Sequence, residues 1–188
     1  MNKNLLLIII LNVLLSPSAY ALNSPNYTYL ETAYIIFDDS GFEAKGIKLK
    51  GSIEISDYFF AVVDYNDTKG KINNFDVDFS TKGYGIGAKA DLGYDDSFYI
   101  SYTFNTWNLE AVSSDIDVDT LRVGYRRILS KNLELNTSYT SNRIEDTQKE
   151  SGYSFGAVYY VSDNIQMTFD YDTVDKLKII SIGARVSF

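Results

Sequence analysis

The side chains that most often carry catalysis are missing from this sequence of 188 residues. Histidine is the usual group that exchanges a proton near neutral pH, and the sequence contains none. Cysteine is also absent, which excludes thiolate chemistry and disulfides. The adjacent carboxylates Asp38-Asp39 and Asp95-Asp96 fall in predicted turns, where aspartate is favoured because it hydrogen-bonds the backbone. The composition therefore predicts a protein that is not an enzyme and that needs no cofactor.

Carboxylates are concentrated in three polar segments of the chain. These segments contain Asp76 and Asp78, then Asp115, Asp117 and Asp119, and then Glu145, Asp146 and Glu150. The alternating aspartates at 115–119 could offer oxygen ligands to Ca²⁺ or Mg²⁺, but they lack the glycine and terminal glutamate of an EF-hand loop. We favour a solvated acidic rim and predict no metal site. The net charge of −8 argues against nucleic acid as a partner.

The elements that must position these residues are strands. Ten segments alternate apolar and polar residues with the period of two that is typical of a β-strand. They lie at 27–37, 44–55, 58–65, 82–93, 97–107, 117–128, 133–141, 151–161, 165–171 and 177–188. The second, fourth, sixth and eighth connections are tight, whereas the others are longer, the longest running from Asn66 to Thr81. Short turns at one end and long loops at the other indicate an antiparallel up-and-down barrel.

The N-terminal residues have the pattern of a secretory signal peptide. Lys3 precedes an apolar run from Leu5 to Leu15, and Ala19-Tyr20-Ala21 places small residues where a signal peptidase reads them. The apolar run is shorter than the roughly 20 residues that a membrane-spanning helix needs. We therefore predict a signal peptide at 1–21 and one barrel domain at 22–188.

The last strand ends the chain on an aromatic residue. Ile180, Ile182, Ala184, Val186 and Phe188 alternate with small or polar residues and so share one face. When this face points outward, aromatic residues from the other strands gather near both ends of the barrel. Those near the loop end are Tyr65, Tyr84, Phe104, Tyr139, Tyr153 and Tyr171, and those near the turn end are Phe59, Phe98, Tyr125 and Phe188. Two aromatic girdles are typical of barrels that cross a membrane.

These features together resemble the small Gram-negative outer-membrane β-barrel proteins, the porin-like family that includes the OmpA and OmpX types. The resemblance rests on the signal peptide, the opening strand Tyr27-Thr28-Tyr29-Leu30-Glu31, the strand Gly83-Tyr84-Gly85-Ile86-Gly87 and the terminal Phe188. It implies an all-β, closed, antiparallel transmembrane barrel in the cell outer membrane, with Phe188 as part of the signal read by the assembly machinery. An even strand count returns both termini to the periplasmic side, and strand 177–188 must pair with strand 27–37 to close the barrel. Eight strands are the alternative to ten, although tight turns flank the segments 58–65 and 165–171.

Charged residues occupy the opposite, inward phase of the strands. The cations are Lys48, Lys50, Lys89, Arg122, Arg126 and Arg185, and the anions are Glu31, Glu54, Asp64, Asp91, Glu134 and Asp170. This balance predicts a lumen charge network of paired side chains that largely fills the barrel. The lumen-facing Gly83, Gly85 and Gly87 either leave a narrow passage or relieve crowding.

Two roles follow from this lumen. We expect a structural or surface-interaction role with the outer loops as the binding surface, and the alternative is a narrow porin-like channel for ions or small solutes. The expected partners of a monomeric barrel are outer-membrane lipid and lipopolysaccharide, the barrel assembly machinery and a surface ligand bound by the outer loops. Lys69, Lys71 and Lys82 are candidates for direct contact with lipid phosphates.

Overall fold

The computed structural model describes residues 24–39, 42–72, 75–109, 114–145 and 148–188. The predicted signal peptide, 1–21, and its cleavage site lie outside the described residues. No helix within the described ranges is long and apolar enough to cross a membrane.

Ten antiparallel strands close into a barrel. They are β1 (Tyr29–Asp39), β2 (Phe42–Ser56), β3 (Phe59–Ile72), β4 (Phe75–Asp91), β5 (Asp96–Leu109), β6 (Ser114–Ser130), β7 (Leu133–Ile144), β8 (Gln148–Tyr160), β9 (Ile165–Val174) and β10 (Leu177–Ser187). Each strand pairs with its neighbours along the chain, and β10 returns to pair with β1. The predicted all-β barrel, the count of ten and the closing pair are confirmed, and the alternative of eight strands is wrong.

The predicted long loop from Asn66 to Thr81 is wrong. β3 continues to Ile72 and β4 begins at Phe75, so that Asn66 pairs with Thr81 in register. Among the connections whose residues are all described, the shortest have two residues, as at 57–58, and the longest have four, as at 92–95. Antiparallel pairing satisfies backbone N–H and C=O groups whatever the side chains are, so these hairpins extend past the apolar part of the wall. The polar composition of 66–72 and 75–81 is therefore compatible with strand.

The outward face of the barrel is a continuous band of exposed apolar side chains. Ile47 is 57% exposed and Ile86 67%, although both lie in the middle of long strands. Such a band is not tolerated in contact with water and marks a surface covered by lipid.

Cross-strand aromatic pairs border this band at both ends. Their ring centroids are 5.7 Å apart for Tyr84–Phe104 and 5.5 Å for Tyr139–Tyr153 at the loop end, and 4.9 Å for Phe98–Tyr125 at the turn end.

We expect deletion of Phe188 to impair insertion of the barrel while secretion to the periplasm continues. The Phe188 N–H donates to the Thr28 carbonyl at 3.1 Å, and the Phe188 carbonyl accepts from Asn26 Nδ2 at 3.2 Å, so the deletion also removes two contacts at the seam. The measurement is the yield of folded protein in the outer-membrane fraction. Phe155→Ala is the control, because Phe155 faces lipid away from the seam. A normal yield after the deletion, or an equal loss in the control, would contradict this role.

Candidate functional site in the barrel lumen

All twelve charged residues of the predicted lumen network lie on the inward phase of their strands. Glu31, Lys89, Arg126, Glu134 and Arg185 are buried. Lys48, Lys50, Glu54, Asp64, Arg122 and Asp170 are half-buried, and Asp91, the last residue of β4, is exposed. The structure brings them together in three groups, which lie at the turn end, at the seam between β1 and β10, and in the centre.

The turn-end group is tightly paired. Arg126 donates from Nε to Glu134 Oε1 at 2.7 Å and from a terminal nitrogen to Oε2 at 3.1 Å. The Tyr160 hydroxyl donates to the same Oε2 at 2.7 Å. Lys89 Nζ lies 3.1 Å from Glu54 and 3.5 Å from Asp91. Each ion at this end of the lumen therefore has a partner of opposite charge within 3.5 Å.

Tyr27 closes most of the turn end, a role that the sequence pattern did not indicate. It was predicted to begin the first strand, but it precedes β1 and is only 3% exposed. Its ring centroid lies 4.8 Å from that of Phe60, and its hydroxyl is 3.1 Å from Ser97 Oγ. The Arg126 guanidinium lies 4.4 Å from the same ring. Since β6, which carries Arg126, lies opposite β1 in the strand order, the contact between Tyr27 and Arg126 spans the lumen.

The seam group joins the first strand to the last. Glu31 pairs with Arg185 in register, and Arg185 donates from Nε and from a terminal nitrogen to Glu31 Oε2 at 3.0 and 2.7 Å. The guanidinium also stacks 4.0 Å above the Tyr29 ring. Lys48 is held more loosely, 4.0 Å from Glu31 and 3.8 Å from Asp170.

The centre of the lumen holds charges without direct counterions. Lys50 and Arg122 form no ion pair in the described part of the chain. Lys50 Nζ lies 5.9 Å from the Tyr29 ring centroid, and Arg122 makes one hydrogen bond, to Thr140 Oγ1 at 3.2 Å. Arg122 interacts with Asp64, Asp170 and Asp172 only through longer-range electrostatics.

Neutral polar atoms around this centre also lack protein partners. Among the described residues these buried atoms include Ser52 Oγ, Asn66 Oδ1 and Ser181 Oγ, together with Glu31 Oε1. An unpaired polar group out of water costs roughly 1 to 3 kcal/mol and an unpaired charge more. We therefore expect the centre to be hydrated. We call it the central chamber, formed by Lys48, Lys50, Arg122, Arg185, Glu31, Asp64, Asp170 and Asp172.

The lumen-facing glycines relieve crowding and do not leave a passage. A Cβ atom added at Gly87 would overlap the Phe60 ring, and one added at Gly83 would overlap the Asp64 and Asn105 side chains. These neighbours already occupy the space that the missing side chains release. The structure thus decides between the two interpretations of the strand Gly83-Tyr84-Gly85-Ile86-Gly87.

An apolar layer crosses the lumen at the loop end. Ile35, Phe37 and Ala44 are buried there, and Phe79, Leu177 and Ile179 pack against them. Ring centroids are 5.9 Å apart for Phe37–Phe79 and 6.0 Å for Phe79–Trp107, which extends the layer from β1 to β5. Because a loop was predicted at 66–81, the inward position of Phe79 on a strand was not predicted. The inward phase that Ile35 and Phe37 share with Glu31 was the signal that could have revealed the layer.

The predicted acidic rim lies on strands, not in loops. Asp115, Asp117 and Asp119 occupy the outward phase of β6, and Asp76 and Asp78 lie on β4. No group of three metal-ligating residues converges within the ranges that the structure describes. Asp146 falls outside the described residues.

Comparison with solved structures identifies the fold. Neither a family model nor a curated protein sequence matches the chain. The NanC porin structure superposes with a TM-score of 0.57 at 12% identity, covering 85% of this chain and 100% of that chain. The KdgM porin in complex with disordered oligogalacturonate gives 0.51 at 14% identity, covering 86% and 99%. The chain thus has the fold of porin-like outer-membrane barrels, while the likeness to OmpA and OmpX types stays a prediction.

We expect Glu31→Gln to lower the free energy of unfolding by about 3 kcal/mol, because it leaves the buried Arg185 guanidinium without its counterion. Urea titration of the barrel refolded in lipid vesicles, followed by the fluorescence of the single tryptophan, measures the change. Glu43→Gln is the matched control, since Glu43 pairs with Lys45 at 2.6 Å on the exposed surface and should have no measurable effect. Equal stabilities of the two variants would show that the seam pair is not a structural element.

Proposed function

We propose that the protein is a narrow porin-like channel that passes ions and small polar solutes across the outer membrane. The observation that carries the proposal is that two cations in the centre of the lumen, Lys50 and Arg122, form no direct ion pair within the described residues. A barrel filled only for stability would pair each of its buried charges, because an isolated charge removed from water costs several kcal/mol. Hydrated charge in the middle of a closed barrel instead suits a path for solutes.

Two aromatic constrictions would set the size of that path. Tyr27, Phe60 and Tyr99 narrow the turn end, and Phe37, Phe79 and Trp107 narrow the loop end. Side chains alone form both constrictions, and rotation of a ring about its side-chain bonds changes the width without disturbing the sheet. We therefore expect small conductance with frequent closures rather than the large steady current of a wide pore.

The charges of the central chamber favour weak selectivity. Its four cations, Lys48, Lys50, Arg122 and Arg185, are matched by four carboxylates. Those carboxylates are Glu31, Asp64, Asp170 and Asp172. One neighbour in fold was solved with oligogalacturonate, a polyanion, but a chamber of balanced charge does not favour an anionic polymer over other small polar solutes.

The surface-interaction role has weaker support than the sequence suggested. That role was assigned to long outer loops, whereas β3 continues to Ile72 and β4 begins at Phe75, so that most of the longest predicted loop is strand. Placement in the outer membrane is supported by the exposed apolar band with its aromatic borders. We also propose that both termini are periplasmic, because an even number of strands returns the chain to the side of the membrane on which it started.

We expect Tyr27→Ala to enlarge the single-channel conductance at least about twofold, because it removes a ring that narrows the turn end. The refolded protein is incorporated into planar lipid bilayers, and current steps are recorded at fixed voltage. Tyr94→Ala is the control: Tyr94 is 77% exposed in the turn between β4 and β5 and should leave the steps unchanged. If neither the wild-type protein nor Tyr27→Ala produced steps although both were folded, the lumen would not conduct and the proposal would fail.

A further inference from the structure

The apolar layer at the loop end adjoins the central chamber on the inward face of β9 and β10. Ile179 of the layer pairs in register with Asp172 of the chamber. The next inward pair toward the loop end, Leu177 with Val174, is apolar, whereas Asp170 lies one inward position nearer the centre. A solute that enters from the loop end therefore meets apolar side chains first and charged ones directly afterwards.

The apolar layer opposes the passage of hydrated ions. The Phe79 ring packs edge-on against both Phe37 and Trp107, and Val77, the next inward residue of β4, is buried as well. An ion loses part of its hydration when it crosses such a layer, whereas an apolar side chain leaves water at a gain in free energy. The layer thus favours solutes that have an apolar part.

The chamber next to this layer holds groups of both signs that have no direct ion pair within the described residues. They are the cations Lys50 and Arg122 and the carboxylates Asp64 and Asp172. Lys50 and Asp64 are opposite each other in register, but Lys50 Nζ lies 5.9 Å from the Tyr29 ring centroid instead of pairing with the carboxylate. All four charged side chains are half-buried, so each keeps some surface that a solute in the lumen can reach.

Neutral neighbours hold two of these groups in place on opposite walls. Arg122, on β6, donates from Nε to Thr140 Oγ1 at 3.2 Å, and its terminal nitrogens make no hydrogen bond within the part of the chain that the structure describes. Asp172, on β9, accepts a hydrogen bond from the Ser154 hydroxyl. Arg122 is within electrostatic reach of both Asp172 and Lys50. A molecule in the middle of the chamber therefore lies between a positive and a negative group.

We propose that the channel selects small zwitterions that carry an apolar side chain, the class to which free leucine belongs. The carboxylate of such a solute accepts hydrogen bonds from Arg122 and Lys50, and its ammonium group donates to Asp172. Its apolar side chain then lies against Ile179 and Leu177, which begin the apolar layer. The inference rests on the proposed channel function and names the solute class of that channel.

A solute with one charge fits the chamber less well than a zwitterion. An anion could pair with Arg122 and a cation with Asp172, but each would leave the other group without a partner. A zwitterion supplies both partners at once, and it adds no net charge to a chamber whose cations and carboxylates are equal in number.

The contribution of the apolar layer is tested by uptake of labelled amino acids into lipid vesicles that contain the refolded barrel. Leucine and asparagine are the probes, because they carry the same charges and have nearly the same shape but differ in the polarity of the side chain. After subtraction of uptake by protein-free vesicles, we expect leucine to enter at least about threefold faster than asparagine at equal concentration. Phe79→Gln, which makes the layer polar, should bring this ratio to about one.

Tyr94→Gln is the matched control, because it also replaces an aromatic ring by glutamine but lies in an exposed turn outside the lumen. It should keep the uptake ratio of the wild type. Heat-dependent gel mobility checks that each variant is folded. Leu177→Asn makes the layer polar at nearly constant shape, so it keeps the test valid if Phe79→Gln does not fold.

The contribution of the charges is tested by block of the ionic current in planar bilayers at neutral pH. The probes are leucine, isocaproate, which lacks the ammonium group, and isoamylamine, which lacks the carboxylate. We expect leucine to halve the current at a concentration at least about threefold lower than either of the others. Asp172→Asn should remove the advantage of leucine over isocaproate, and Arg122→Gln should remove its advantage over isoamylamine.

Several results would overturn the proposed solute class. They are equal uptake of leucine and asparagine by the wild type, an unchanged ratio in folded Phe79→Gln, an equal loss of the ratio in Tyr94→Gln, and equal block by the three compounds. In each of these cases the barrel still gives current steps, so the channel itself would stand. A folded barrel that gave neither current steps nor uptake would remove the channel and its solute class together.

Discussion

Closure of the sheet on itself forces every inward side chain into one narrow lumen. Pairing of β10 with β1 leaves no free strand edge, and it sets Glu31 opposite Arg185 where the chain meets itself. That ion pair lies on the Tyr29 ring and is buried inside the barrel. Once this register is fixed, the alternation of each strand decides which residues meet lipid and which meet the lumen.

The lumen has three layers, because different kinds of side chain line its turn end, its centre and its loop end. The turn end is tightly paired, with Arg126 and Glu134 beside Tyr27, and the loop end is apolar around Phe37 and Phe79. In the central chamber between them, cations and carboxylates are equal in number, but Lys50 and Arg122 form no direct ion pair within the described residues. In the proposed channel, water solvates Lys50 and Arg122, and a hydrated chamber between two aromatic constrictions would be the physical basis for conduction.

Period-two alternation was enough to predict which side of the wall each strand residue faces. It placed Ile86 outward and Glu31 inward, because a closed barrel allows only two directions for a side chain. It could not predict where strands end, since hydrogen bonding in β3 and β4 continues through polar residues such as Lys69 and Asp78. Nor could it place Tyr27, whose position depends on contacts with Ser97 and Arg126 that are distant in sequence. The role of Gly87 likewise became clear only from the Phe60 ring that lies over it.

Hydration of the central chamber is tested most directly by the reactivity of a single cysteine, because the native chain has none. Ser101 faces the lumen opposite Arg122 in register, and the adjacent Ile100 faces lipid. In the barrel refolded in lipid vesicles, a small water-soluble thiol reagent should modify Ser101→Cys to completion and leave Ile100→Cys unmodified. Protection of Ser101→Cys until the barrel is unfolded would mean that the centre is dry and would contradict the account of a hydrated channel.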